Sequence, residues 1–485
     1  MNKIKTVAII GGGVAGLSAA GLLSRKGVQV KLFEANEKLG GCCANTYLGG
    51  YTFHDGALYL AVPGVLDHVF ERLGLDRASL VPLRKVACQK SILPDGSAVY
   101  IGDRCNVTVI RPDGEVNRIK LENELAGMLK RWEPVLRIFV DDIMLHPFSM
   151  SRMIAKGWSH LHKFRGTVAS EITSLFSDDA VRAAMSGGLL YTGAPPEKTP
   201  AQSILGLVAM LTEGFYLPEG GMGRIPEALS ISLNNNGGEI NLNSKIHRII
   251  VTNGRVSGLE VEAQGVVEID AVISTATGMA TFGVLMDPDD VPDSLKRKVR
   301  TSPLSHKGIG VQLGLSNKID VTCHSNSLIP MMNEQYKVFM PIVDDVRWPV
   351  FSVPTVTIPE LAPPGGSIIE IFPPIQQDMS VDGWDEDKKE RIVASAIRSL
   401  SRMHDMDVAV KRAISPKDFQ DHMHLYHGAL YGLSPTADPQ AQFEHKSIVP
   451  GLYLAGQATF PGYGVGPAAM SGILAAETLL ETEHI

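Results

Sequence analysis

The clearest pattern of apolar and polar positions lies at the start of the chain. Thr6-Val7-Ala8-Ile9-Ile10 is an unbroken apolar, largely β-branched run of the kind that fills a parallel strand buried on both faces. Gly11-Gly12-Gly13-Val14-Ala15-Gly16 follows at once, then a small-residue helix from Leu17 to Lys26 closed by Gly27. A second strand runs from Val28 to Phe33 and ends on Glu34. Past about Arg111 the periodicity becomes helical, as in Leu121 to Phe139 and Ala201 to Leu211. Gly237 to Gly278 reads as a strand meander ending in Asp270-Ala271-Val272-Ile273-Ser274-Thr275-Ala276. From Lys307 to Phe372 come proline-punctuated β runs: Ile309 to Leu313, Lys337 to Ile342 and Ile368 to Ile371, with Pro363 to Gly366 as a turn. Asp385 to Met403 is an amphipathic helix with Ile392, Val393, Ala396, Ile397 and Leu400 on its buried face. The C-terminus repeats the opening logic: a strand at Gly451 to Gly456, a glycine-rich loop from Gln457 to Gly466, and a helix from Pro467 through Leu480.

Each part of the opening unit has a mechanical reason. Gly11 permits the tight turn, Gly13 lets a pyrophosphate approach the backbone, and Gly16 lets helix and strand pack closely. Val14 and Ala15 lie beside the helix N-terminus, whose free N–H groups and positive end suit phosphate. Glu34, with Ala35 beside it, lies about 20 residues past the loop, where a carboxylate accepts ribose hydroxyls and repels a 2′-phosphate. Strand, glycines, helix, strand and acid in that order predict a dinucleotide site.

Length and composition set the frame around that site. A chain of 485 residues is too long for one core and predicts two or three domains. A formal net charge of −7 with no Lys/Arg run argues against a nucleic-acid partner. Five cysteines, Cys42, Cys43, Cys88, Cys105 and Cys323, include no C-x-x-C pair, so free thiols are expected rather than a disulfide framework. The apolar start is too short for a signal peptide and runs into glycines, and no stretch reaches the roughly 18 apolar residues of a membrane span. A cytoplasmic protein is expected, with peripheral membrane contact as a further option.

Three later features choose FAD among dinucleotides. Gly40-Gly41, followed by Cys42, lets the backbone pass close to an elongated ligand. The strand pair around Ile246 passes beside an adenine in two-dinucleotide-domain flavoproteins. Gly456, Gln457, Gly464, Val465 and Gly466 lead into the last helix, whose N-terminus stabilises negative charge on the pyrimidine end of a flavin. Gln457 offers an amide to the ribityl hydroxyls.

Together these segments resemble the flavin amine oxidase and phytoene desaturase superfamily. Gly40-Gly41-Cys42-Cys43 resembles retinol saturases, where two cysteines follow the glycine pair, whereas most relatives in the superfamily carry an arginine at the position of Cys42. Phe460-Pro461-Gly462-Tyr463-Gly464-Val465 and Ser471-Gly472 resemble the C-terminal signature of carotenoid isomerases. Phe53-His54-Asp55-Gly56-Ala57 is similar to the segment after the second strand, with His54 interrupting the usual phenylalanine–aspartate pair. Tyr216 to Gly223 resembles the mid-chain glycine turn. The resemblance implies an α/β fold with a Rossmann-like FAD-binding domain of the two-dinucleotide-domain type, assembled from 1–110, 215–300 and 446–485. An inserted α+β substrate or cap domain comprises 111–214 and 301–445.

It also implies an FAD-dependent oxidoreductase that forms, saturates or isomerises carbon–carbon double bonds in an apolar, isoprenoid-like small molecule. Two other readings stay open: an amine or ring oxidase of a smaller metabolite, which needs an aromatic pair over the flavin, and a flavin-stabilised binding protein. Flavin chemistry imposes no acid or base at fixed spacing, and no hydrolase, zincin or Walker motif is present. No catalytic residue is assigned. Tyr431 and His427, in the lead-in to the last flavin contact, are candidates to line the pocket, or else polar residues of a strand. His422, His424 and His427 are the one histidine cluster, but no metal is assigned to them. Cys42 and Cys43 are a redox pair or simply small side chains near the ribityl chain.

Overall fold

A computed structural model describes residues 6–86, 88–102, 107–112, 118–340, 346–372, 374–375 and 380–484. At its centre lies a five-stranded parallel sheet in the order Glu239–Asn241, Gln29–Phe33, Thr6–Ile10, Ala271–Ser274, Leu452–Leu454. Thr6–Ile10 is the central strand, and Val7, Ala8 and Ile9 are fully buried, which explains its unbroken apolar run. Pairing of Ile9 with Leu32 on one side and Ile273 on the other brings three segments from across the chain into register.

The helix Val14–Arg25 covers one face and is sandwiched between Val465–Glu483 and Arg224–Asn235. Its Leu17, Ala19, Ala20 and Leu23 are fully buried, so an all-round small and apolar composition suits it. The crossing with the last helix is tight because Gly472 lies against the first: a Cβ there would overlap the Ala15 carbonyl. That last helix begins at Val465, two residues before the expected Pro467, whose missing N–H still falls in the first turn.

A second, eight-stranded sheet has the order Val408–Ile414, Gly310–Leu315, Ser367–Ile371, Val350–Ser352, Ser325–Leu328, Gln89–Ile92, Ala98–Ile101, Val107–Ile110. Of the strands within 89–110, Gln89–Ile92 is hydrogen-bonded in parallel to Ser325–Leu328, and Ala98–Ile101 and Val107–Ile110 follow it in antiparallel pairs. Sequence proximity does not choose strand partners, and the crossover between Gln89–Ile92 and Ser325–Leu328 runs through the helical segments Arg118–Arg137, Val168–Leu175, Asp179–Gly187 and Ile204–Thr212. The same parallel register brings Cys88 and Cys323, each just ahead of its strand, into a disulfide with Cα atoms 4.8 Å apart. The expectation of free thiols is corrected there, while Cys42 and Cys43 are free and Cys105 lies outside the described residues. The run from Lys337 is not a strand: Met332–Phe339 forms 3-10 turns, pinned by the buried Gln335, whose Nε2 donates to the Ala183 carbonyl at 2.8 Å. Residues 341–342 of that run lie outside the described residues. The amphipathic helix is observed as Glu386–Leu400, capped by Asp385.

Candidate active site

The strands of the parallel sheet end together, and the segments leaving them form one crevice. Gly11 N donates to the Phe33 carbonyl at 2.8 Å, and Thr275 N and Oγ1 both donate to the Ile10 carbonyl, at 2.9 and 2.8 Å. Ala455 N donates to the Ser274 carbonyl at 3.0 Å. Gly11, Glu34, Thr275 and Gly456 therefore lie side by side at the carboxyl ends of four strands, where open α/β sheets bind ligands.

Gly11 has φ +99°, and a side chain on it would run into the Thr275 hydroxyl. A Cβ on Gly16 would overlap the Gly11 carbonyl. Gly13 is different: nothing comes nearer than 4.0 Å to a Cβ built on it, so that face is open. Gly13 caps the helix Val14–Arg25 without a side-chain bond, and the first intrahelical bond is Leu17 N to the Gly13 carbonyl, 3.0 Å. The N–H groups of Val14, Ala15 and Gly16 precede that bond and suit an anion.

Glu34 is 5% exposed, and its carboxylate accepts from Gly12 N at 2.7 Å and Asn36 N at 2.9 Å. The Glu34 carbonyl accepts from Ser244 N at 2.8 Å, which brings the buried Ile246 and its strand Ile246–Thr252 beside the acid and Ala35. Gly40 N donates to the Gly12 carbonyl at 2.9 Å, and Gly13 and Gly40 form an isolated bridge. Gly40 with φ +128° and Gly41 with φ +53° turn the chain sharply there. On the far side, Gly456 N donates to Ser471 Oγ at 3.0 Å, and Gln457 follows it. Gly464, with no side chain to cap, precedes Val465 and Gly466 at the second open helix N-terminus. The open glycine faces, two uncapped helix ends and a buried carboxylate match a dinucleotide in shape and charge.

Beyond Cys42 the crevice meets a group of rings. Tyr431 lies 4.9 Å from Tyr463, centroid to centroid, and each is 6.5 Å from Tyr191. His306 stands 5.6 Å from Tyr431, and Tyr59 stacks on Phe215 at 4.2 Å. Burial, and then neighbouring tyrosines, raise the hydroxyls of Tyr191, Tyr431 and Tyr463, the last to about 12. Burial alone lowers His306 to about 4, and its Nδ1 has no hydrogen-bond partner. Uncharged at neutral pH, these groups make an aromatic wall that carries no formal charge. A separation of 4.9 Å is direct ring contact, so no ligand group fits between Tyr431 and Tyr463.

Tyr431 thus sits with this cluster, whereas His427 is exposed with its ring 4.3 Å from Tyr426, and the segment is not a strand but the end of the helix Pro416–Met423 followed by a 3-10 turn. Among the described residues no group of three or more His, Cys, Asp or Glu is arranged to hold a metal ion. Cys42 is pushed up to about 11 by burial and by Asp55, and Cys43 is raised by burial and by Cys42, so both are thiols at neutral pH.

Tyr59, Tyr191, Phe215 and His306 carry no local sequence signal for this role. His54 does have one: it breaks the usual pair because its Nδ1 meets Glu370 Oε2 at 3.0 Å, both side chains fully buried, while His54 N donates to Glu370 Oε1 at 2.7 Å. Glu370 and Arg412 flank Gln312 across the large sheet, and Arg412 reaches Asp55 at 3.0 Å. This network ties the loop that carries Cys42 to the eight-stranded sheet.

The sequence profile of flavin containing amine oxidoreductases matches residues 14–480. A zeta-carotene-forming phytoene desaturase of Myxococcus xanthus is 25% identical over 99% of this chain and 95% of its own. A chloroplastic prolycopene isomerase of Daucus carota is 25% identical over 96% of this chain and 78% of its own. Among solved structures, an oxidoreductase from Methanosarcina mazei superposes with TM-score 0.66 at 18% identity, covering 97% of this chain and 100% of that one. Wild-type putrescine oxidase bound to putrescine gives 0.61 at 14% identity, over 98% and 99%. The family match spans both helix N-termini or their immediate neighbours and the loops between them, so the chain belongs to the flavin-containing amine oxidoreductase family and is an FAD-dependent oxidoreductase.

Proposed function

We propose that this enzyme forms, saturates or isomerises carbon–carbon double bonds in an apolar, polyene-like substrate. The observation that carries the reading is the wall of Tyr59, Tyr191, Tyr431, Tyr463 and His306 beyond Cys42. The ionisable groups acting on Tyr431 are Tyr59, Tyr191 and Cys42, none of them a carboxylate that would welcome an ammonium ion. The contact between Tyr431 and Tyr463 also leaves no slot for an amine between two rings. Relatives named for phytoene desaturation and prolycopene isomerisation support the same reading.

In this proposal Gly11, Gly13, Val14, Ala15 and Gly16 receive the pyrophosphate, and Glu34 with Ala35 takes the adenosine ribose beside Ile246. Gly40, Gly41 and Cys42 pass the ribityl chain, which Gln457 also meets. Gly456, Gly464, Val465 and Gly466 bring the second helix N-terminus to the flavin ring. Bound FAD supplies two-electron redox chemistry. The chain's own part is to orient an apolar substrate, exclude water and present a positive helix end where negative charge develops. The parallel sheet with its helices forms the FAD domain, and the eight-stranded sheet and helical segments form the cap.

The test is the visible flavin absorbance of the holoenzyme held without oxygen while phytoene in detergent micelles, or putrescine, is added. Bleaching by phytoene, or conversion of a cis polyene by the pre-reduced enzyme, is the expected result. Bleaching by putrescine alone would replace the reading with the amine oxidase one.

A further inference from the structure

Between Asp142 and Glu171 the chain has no acidic residue, although its formal net charge is −7. The same interval holds Arg152, Lys156, Lys163 and Arg165. It folds as the helix Met150–Gly157 and the 3-10 turns Trp158–Phe164. Trp158 is 71% exposed, and Phe148, Met150, Ile154 and Leu161 are between 47% and 55% exposed. Met150, Ile154, Trp158 and Leu161 follow at steps of four, four and three, so they share one face.

Neighbouring side chains anchor the segment. Met153 and Phe164 pack on the main core, with the Phe164 ring 6.3 Å from Trp132. Lys163 Nζ donates to the Arg131 carbonyl at 2.7 Å, and Lys156 pairs with Asp142 at 2.9 Å. The exposed stripe is therefore held outward by contacts it does not make itself. It also adjoins the site: the Phe148 ring lies 5.4 Å from Phe460, within the loop between Gly456 and Gly464.

We infer that this segment docks the enzyme on a bilayer bearing anionic headgroups and hands apolar substrate to the site past Phe148, an inference that rests on the apolar-substrate reading. The chemistry is that of an interfacial helix: aromatic and aliphatic side chains enter the headgroup boundary while flanking cations meet the lipid charge. Among the described residues no helix is long and apolar enough to cross a membrane.

Flotation of the holoenzyme with phosphatidylcholine vesicles, alone or with phosphatidylglycerol, tests it. The anionic vesicles carry the enzyme up, and added salt weakens the binding. Trp158→Ser and Ile154→Ser each weaken it by roughly tenfold, and Arg165→Glu weakens it on anionic vesicles only, with flavin content unchanged in all three. Failure of the wild type to float, or equal binding by the variants, overturns the inference. So does a dimer that Trp158→Ser converts to monomer without any vesicle binding, which would make the stripe a contact between two copies. Bleaching by phytoene in detergent micelles separates the two claims. If the flavin bleaches but the enzyme does not float, docking alone fails; if it floats but no polyene reacts, the substrate reading fails.

Discussion

Glu34 is where the proposed cofactor site can be tested without its cofactor. Its two carboxylate oxygens are each committed, one to Gly12 N at 2.7 Å and one to Asn36 N at 2.9 Å, in a side chain 5% exposed. Glu34→Gln conserves shape but has a single acceptor oxygen, and its amide NH₂ must then face one of the two N–H donors. One charge-assisted bond is lost and a buried donor is left unpaired. Bonds to charged groups contribute about 1.5–3 kcal/mol, so the apoprotein should lose about 2 kcal/mol. Urea unfolding of the apo form reads this as a lower midpoint at unchanged slope. In the holo form the weakened ribose end should raise the FAD Kd by about tenfold, measured by flavin fluorescence, for each 1.4 kcal/mol of binding lost. Glu37→Gln, at an exposed position nearby, should move stability by less than about 0.5 kcal/mol and leave FAD affinity alone. If apo Glu34→Gln is as stable as wild type and keeps its FAD affinity, the carboxylate does not organise this crevice and the assignment fails.

Three further outcomes follow from the packing and the titrating groups. Gly472→Val should cost about 1–3 kcal/mol or more and reduce flavin loading, because its Cβ meets the Ala15 backbone at a helix crossing that cannot yield locally; a normal melting temperature with full flavin would contradict this. Burial, and after it the neighbouring His54, lowers His324 to about 3, and burial lowers His306 to about 4. Below about pH 6.5 the unfolded chain takes up protons that the folded one refuses, so stability falls with pH by about 1.4 kcal/mol per unit per group down to about pH 4. Urea midpoints for His324→Gln should show a shallower fall, and parallel curves would refute the assignment. Cys42→Ala and Cys43→Ala should retain flavin and turnover, and both wild-type thiols should react slowly with a disulfide reagent at neutral pH, since burial keeps them protonated. Loss of turnover in either variant with intact flavin would instead indicate a redox role.

The amino-acid sequence by itself determined the parts of the site built from contiguous residues. The turn at Gly11, the open face at Gly13, the acid at Glu34 and the helix between them, expected from Leu17 and observed from Val14, are local geometry, legible because glycine conformations and helix ends follow from neighbouring residues. The second uncapped helix at Val465 was legible for the same reason, within two residues. Tertiary structure alone decided what depends on distant segments meeting. Tyr59, Tyr191, Tyr431 and Tyr463 form one cluster only because four segments far apart in the chain meet there. His54 looked like a blemish in a motif until Glu370, on a strand of the other sheet, supplied its partner. Cys88 and Cys323 looked like free thiols until a parallel pairing of Gln89 with Ser325 brought them together. Strand partners and ring clusters are chosen by nonlocal burial and hydrogen bonding, which leave no periodicity behind in the chain.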